Sequence, residues 1–213
     1  MAANRARGHR AGLTRQAVLE AAVRLADGEG LKALSMRRLG AELGVEAMTL
    51  YHYVPNKDAL LDGIVERVVA EAVPPEFGAA SWRESLRAYA ESLVAVLSAH
   101  PNVMPLLMAR PAMTPRNLRT MEDMVAALCG AGFAPVRALD VVHALTGFAV
   151  GHVATQAGGE GVAELLAVDA DAYPLLARAA REAGGSRGEA DAARFTFALD
   201  ALLAGFEGEL TQK

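Results

Sequence analysis

An all-α fold is predicted, built as a small N-terminal helical domain followed by a larger helical one. Composition is the first reason: the 213 residues are 53% hydrophobic yet only 5% aromatic, and an Ala- and Leu-rich chain suits packed helices better than sheets, which favour β-branched and aromatic residues. Periodicity is the second, since apolar residues recur at three- and four-residue spacing and no strand-like alternation or fixed-period repeat occurs. Length is the third, because the chain exceeds the usual single-domain size of roughly 100 to 150 residues without reaching two average domains.

Each element has its own signals. Between Leu13 and Ala26 the residues Val18, Leu19, Ala22, Val23, Leu25 and Ala26 make one helical face, stopped by the glycines of "DGEG". Ser35 can N-cap a second short helix, "MRRLGAEL", with Met36, Leu39 and Leu43 inward and Arg37, Arg38 and Glu42 outward; Gly44 ends it. A third helix is expected over "EAMTLYHY", 46–53, before Pro55 breaks it. Two short helices joined at a glycine make a helix-turn-helix. A longer amphipathic helix, "DALLDGIVERVVAEAV", then runs to Pro74 and Pro75. "SWRE" is a capping box leading a helix to about Ser98. Prolines 101, 105, 111 and 115 punctuate a broken segment, Thr114 with Pro115 opens a helix ending near Gly132, and Pro135 opens one to about Ala157. The loops "AGGEG" and "GGSRG" flank a weaker helical stretch, and the chain closes as an amphipathic helix from about Glu189 to Leu210. The expected organisation is a basic arm (1–13), a three-helix domain (14–57), a connector helix (58–75) and a larger helical domain (76–213).

Charge divides along the same line. Residues 1–57 carry nine Lys and Arg against five Asp and Glu, a net of +4, which leaves twelve against twenty, or −8, on the other 156. A basic head on an acidic body suits a head that meets a polyanion, although a merely solvated charged face would have the same composition. The single Cys129 excludes a disulfide framework and a Cys-based zinc site and fits a reducing cytoplasmic setting. The basic N-terminus lacks the apolar core of a signal peptide, and no uncharged apolar run of about 18 residues follows, so no membrane partner is expected.

Chemistry concentrates in "GVEAMTLYHYVPNK", residues 44–57. Successive helical residues are about 100° apart, so Thr49, Tyr51 and His52 cannot all share the face of Val45 and Leu50. A helix-turn-helix lays its second helix in the DNA major groove, where Thr, Met and Tyr reach base edges while Tyr hydroxyls and Lys ammonium groups hold phosphates. Residues 14–62 resemble the DNA-binding domain of the tetracycline-repressor (TetR) family of bacterial transcription regulators, above all through the pattern Leu50-Tyr51-x-Tyr53-x-x-x-Lys57-x-x-Leu60. Val54 departs from it, standing where the family usually has an aromatic residue. Carried over by position, the resemblance implies base contacts from Arg37, Ala47, Met48, Thr49 and Tyr53, and phosphate contacts from Tyr51 and Lys57. His52 is expected to be exposed or at a phosphate, and Arg5, Arg7, Arg10 and Arg15 to form an arm along the backbone or in a minor groove.

The second part resembles, more weakly, the ligand-binding and dimerising domain of the tetracycline repressors, through "SWRESLRAYAESL", "ARP" at 109–111 and "ALCGAGF" at 127–133. Those proteins hold tetracycline as a magnesium chelate through a histidine shortly before the "RP" and a carboxylate near the end of the long helix. Leu106 and Thr155 stand at these positions here, so no metal or other cofactor is expected. A methionine-rich, mostly apolar pocket is expected from Trp82, Tyr89, Leu93, Met104, Leu107, Met108, Met121, Met124, Phe148 and His152, suited to a small apolar effector, though each of these also fits an ordinary helical core. A homodimer is expected through the helices 135–157 and 189–210, on Leu145, Phe148, Phe195, Leu199, Leu202 and Phe206, since 195, 199, 202 and 206 form one apolar stripe.

The expected function is a ligand-responsive repressor reading a palindromic duplex operator. No H-E-x-x-H, G-x-S-x-G or glycine-rich loop after a strand is present, so an enzyme is not expected. A helical adaptor using the basic head on proteins or a membrane surface is the alternative, and absence of a sequence-specific DNA shift would mark it.

Overall fold

The computed structural model describes residues 13–72, 77, 81–110, 114–157, 169–183 and 186–210, and these form ten α-helices and a short 3-10 turn without a strand. The helices are α1 (Arg15–Glu29), α2 (Met36–Leu43), α3 (Ala47–Leu50), α4 (Lys57–Ala72), α5 (Trp82–Ala99), α6 (Met104–Ala109), α7 (Pro115–Gly130), α8 (Pro135–Ala157), α9 (Pro174–Ala183) and α10 (Arg187–Leu210). Most of the arm, with Arg5, Arg7 and Arg10, lies outside the described residues.

Helix ends follow local chemistry. Thr14 and Ser35 each accept a backbone N–H from the residue three further on, capping α1 and α2 at 3.1 Å. Asn56 caps α4 in the same way through Ala59 at 2.7 Å. Ser81 and Glu84 form the expected capping box of α5. Ser186 and Glu189 form a second one, which starts α10 two residues earlier than the sequence pattern suggests. Gly44 ends α2 at φ 66°, a left-handed conformation that glycine adopts without penalty. The third helix is shorter than expected. It ends at Leu50, and Tyr51 to Tyr53 continue as a hydrogen-bonded turn in which Tyr53 and Val54 both donate to the Leu50 carbonyl. Pro55 has no N–H to carry it further and disfavours helical geometry in the residue before it.

Helix α4 is central: it packs against α1, α5, α6 and α7, while α5 lies on α8 and α10 closes over α5 and α8. Leu60, Ile64 and Val68 are wholly buried along α4, and each such side chain contributes roughly 1.5 to 3 kcal/mol by leaving water. The head is also tied by polar contacts. Arg15 donates to the buried Glu66 of α4 at 3.1 Å, so it belongs to this junction and not to the arm in which the sequence places it. Burial works against ionisation of Glu66, but hydrogen bonds from Arg15 and Thr114 outweigh it and hold the carboxyl below its ordinary range. His100, after α5, meets Asp27 of α1 at 2.8 Å, and Asn102 donates to the Asp27 carbonyl. Pro135–Gln156 of α8 is long and apolar enough to cross a membrane by length and composition, though it carries Arg137 and Asp140; within this fold it is a bundle helix against α5, α7 and α10.

Candidate functional site

At the head, a close helix approach sets the geometry. A Cβ on Gly40 of α2 would stand 2.7 Å from the Val45 carbonyl oxygen and 3.2 Å from the Ala47 nitrogen, so only glycine lets α3 cross here. The Val45 N–H donates back to the Gly40 carbonyl at 2.9 Å. Leu50 and Val54 are buried beneath, so valine fills in the core the position where an aromatic residue was expected. What remains outside is Met48, 71% exposed, with Tyr51 and His52. Together with Thr49 and Tyr53 they line one shallow depression. Ala47 and Tyr53 are half-buried against the core. Arg37 and Lys57 are exposed, and neither has an ion-pair partner among the described residues. Arg38, by contrast, is held by Glu29 at 2.5 Å and Glu42 at 3.1 Å.

A cavity of about 270 Å³ lies between α4, α5, α7 and α8. Of the side chains expected there, Tyr89, Leu107, Met121 and Met124 line it. The other six are elsewhere. Leu93 and Met104 are consumed in the core, Met108 is 67% exposed, and Trp82 packs edge-on against Phe133 at 5.3 Å. Phe148 stacks on Phe195 at 5.2 Å between ring centroids and His152 packs tilted against it at 4.9 Å, joining α8 to α10; burial there lowers the His152 pKa. Val65, Val69, Arg110, Asn117, Thr120, Val142, His143, Thr146 and Val150 also line the cavity and were missed. Extending the helical period from Met121 and Met124 back to Asn117, or along 142, 146 and 150, would have found most of them. Leu106 is buried on α6 and Thr155 is exposed, and neither lines the cavity.

The cavity's hydroxyls are ordered. Thr146 donates to the Val142 carbonyl at 2.7 Å, so the 2.8 Å contact with Tyr89 is a bond donated by the phenol. Burial pushes the Tyr89 pKa above its ordinary value, partly offset by Thr146, and the phenol stays neutral.

The expected dimer stripe turns inward. Leu145 and Leu199 are wholly buried within the one chain and Phe195 nearly so, because the largest apolar side chains of α8 and α10 are used to close this chain's own core. Leu202 and Phe206 are half-buried beside a cleft that includes Ala144, Ala201 and Gly205. The face left outside is a second stripe on α10, two residues out of phase: Phe197, 78% exposed, with Ala201, Ala204 and Gly208. On α8, Ala144, Gly147 and Gly151 are likewise exposed.

Residues 18–64 match the model described as bacterial regulatory proteins, tetR family, and residues 74–210 match the tetracyclin repressor-like C-terminal domain. The HTH-type transcriptional repressor DrrR1 of Streptomyces coeruleorubidus is 36% identical over 151 residues, 70% of this chain and 56% of that protein. An HTH-type transcriptional regulator of Saccharopolyspora erythraea is 35% identical over 68% of this chain and 61% of its own length, so the chain spans less than two thirds of both relatives. The class E tetracycline repressor of Escherichia coli is 31% identical over 92% of each. Among solved structures, apo ActR from Streptomyces coelicolor superposes with a TM-score of 0.77 at 27% identity, over 93% of this chain and 96% of that one. ActR in complex with actinorhodin gives 0.74, at 27% identity over 94% and 99%. With both halves of the chain matched, it belongs to the tetR family of bacterial regulatory proteins.

Proposed function

We propose that the protein is a cytoplasmic, ligand-responsive transcription repressor that binds a pseudo-palindromic operator as a homodimer and is released by a small, largely apolar effector. The observation that carries this is a single helix with both jobs. α4 begins at exposed Lys57, beside the Met48–Tyr53 surface, and its Val65 and Val69 form a wall of the cavity. At 16 residues it spans about 24 Å. Named relatives support the direction of control: DrrR1 and the class E protein are repressors, and ActR has been captured with actinorhodin. Thr49, Met48 and Tyr53, with Arg37 and Ala47, read base edges, while Lys57, Tyr51 and His52 hold phosphates.

The cavity is read as a binding site, its Tyr89 hydroxyl held by Thr146 and that of Thr146 by the Val142 carbonyl. No carboxylate lines the cavity among the described residues, which favours an effector that is not a magnesium chelate. Two copies pair through the outer stripe of Phe197, Ala201, Ala204 and Gly208 with Ala144, Gly147 and Gly151 of α8, where small residues let helices approach closely.

Selection of duplexes from a random pool by the full chain, followed by anisotropy titration at several salt concentrations, tests the reading. A palindromic consensus is expected, with Lys57→Ala weakening every duplex and Thr49→Ala costing roughly 1 to 3 kcal/mol on the consensus alone. Retention of random duplex with no consensus would refute it.

A further inference from the structure

The cavity has one permanently charged side chain on its wall, and that side chain is occupied elsewhere. Arg110, directly after α6, donates through one terminal nitrogen to Asp62 at 2.8 Å and through the other to the Asp58 carboxylate. Both aspartates are in the first two turns of α4, Asp58 directly after Lys57 and Asp62 one turn further on. They stand four residues apart on one helix face, where like charges repel, and the guanidinium between them removes that repulsion. The rest of the wall is mainly apolar, including Val65, Val69, Met121 and Met124, so an anion entering it finds Arg110 as its strong partner. A guanidinium matches a carboxylate in a two-pronged, charge-assisted pair.

We propose that the effector of this cavity is an apolar molecule carrying an oxygen anion, such as an aromatic carboxylate, and that it acts by drawing Arg110 away from Asp58 and Asp62. Arg110 is therefore both the specificity-determining contact for the ligand and the tether that ligand binding releases. Release leaves two uncompensated carboxylates beside the phosphate-holding Lys57, which loosens the start of α4 and adds repulsion toward the DNA backbone. Linkage requires the converse: the aspartates compete with the ligand, so removing them tightens ligand binding.

The outcome on DNA rests on the regulator proposed above; ligand binding does not, and the experiment separates them. The full chain is titrated calorimetrically, without DNA, with benzoate, naphthalene-2-carboxylate and anthracene-2-carboxylate, each beside its primary carboxamide. Operator release by the same compounds is read by anisotropy. At least one acid binds, its carboxamide binds roughly tenfold or more weakly, and Arg110→Gln abolishes the difference. The double variant Asp58→Asn with Asp62→Asn leaves the cavity wall intact; it binds the acid roughly fivefold or more tightly, while the acid changes its operator affinity by about twofold or less. Binding by none of the acids, carboxamides as good as acids, discrimination that survives Arg110→Gln, or unchanged acid affinity in the double variant each overturns the proposal. Release of the operator by a carboxamide and not by its acid overturns it too, while leaving the regulator intact. Failure to select any operator removes the regulator and leaves the binding results to decide the ligand class.

Discussion

Replacing Gly40 by alanine tests the geometry of the head where it is tightest. In the interior of α2 the change would ordinarily stabilise by about 0.5 to 1 kcal/mol, because glycine loses more backbone freedom on folding. Here the new Cβ meets the Val45 carbonyl oxygen at 2.7 Å. An ordinary carbon–oxygen contact is about 3.3 Å, so α3 must withdraw by about 0.6 Å. The obstacle is backbone on both sides, with Ala47 nitrogen at 3.2 Å, so no side chain can rotate away. Overpacking of this kind costs about 1 to 3 kcal/mol, for a net change between about zero and a loss of about 2.5 kcal/mol. Gly28 of α1 is the control: it is exposed, with nothing within 4 Å of an added Cβ, and Gly28→Ala should stabilise by up to about 1 kcal/mol. Urea unfolding of the full-length variants measures both. Anisotropy under conditions where each is folded then compares a selected operator with random duplex. Gly40→Ala should lower the ratio of specific to random affinity roughly tenfold, since base contacts tolerate displacement poorly, and leave random binding close to wild type. Gly40→Ala that is as stable as Gly28→Ala and retains the full ratio would refute the argument.

Two further outcomes follow from packing and charge. If the chain pairs as proposed, wild type should sediment as a dimer at micromolar concentration and Phe197→Glu as a monomer without loss of chain stability, whereas Leu199→Ala should destabilise folding by about 2 to 5 kcal/mol; a Phe197→Glu dimer would discard the outer stripe. The Glu66 carboxyl is held below its ordinary value of 4.5, so its pairing stabilises the fold above that pH and the contribution fades as pH falls through the lowered value. Glu66→Gln should therefore be less stable than wild type near neutrality, and the two should converge on acidification; parallel curves in urea titrations across pH would show that the contact with Arg15 is not felt.

The head was legible because its instructions are local. Ser35, Gly44 and Pro55 each act within a turn of their own position, and the resemblance in residues 14–62 rests on the same stretch. Even there, α3 came out shorter, since a four-residue helix and a hydrogen-bonded turn carry the same apolar pattern. The cavity was legible only in part because apolar identity does not separate a wall from a core: Met121 and Met104 are the same residue type, one facing space and the other filled against neighbours. Arg110 was read as a fragment of a resemblance and not as chemistry. On α10 two apolar stripes run side by side, and the larger side chains were assigned to the partner when the chain's own core had first use of them.

Helix α4 shows what the sequence pattern held without revealing. Asp58, Asp62, Val65 and Val69 follow one another at four-, three- and four-residue steps, so the tether to Arg110 and the cavity wall lie along a single face. Leu60 and Ile64 are buried along another, and Gly63 lies so close to α1 that an added Cβ would stand 2.5 Å from the Leu19 side chain. No proline interrupts the helix. A displacement imposed on the cavity face therefore cannot be absorbed within α4. It reaches Leu19, and Arg15 through Glu66, so that α1 moves with α4. Since α2 is packed on α1 and α3 is held to α2 at Gly40, the recognition surface follows as one body. On the proposed function, a change at Val65 or Asp62 should therefore be felt as a displacement of the Met48–Tyr53 surface together with α1 and α2.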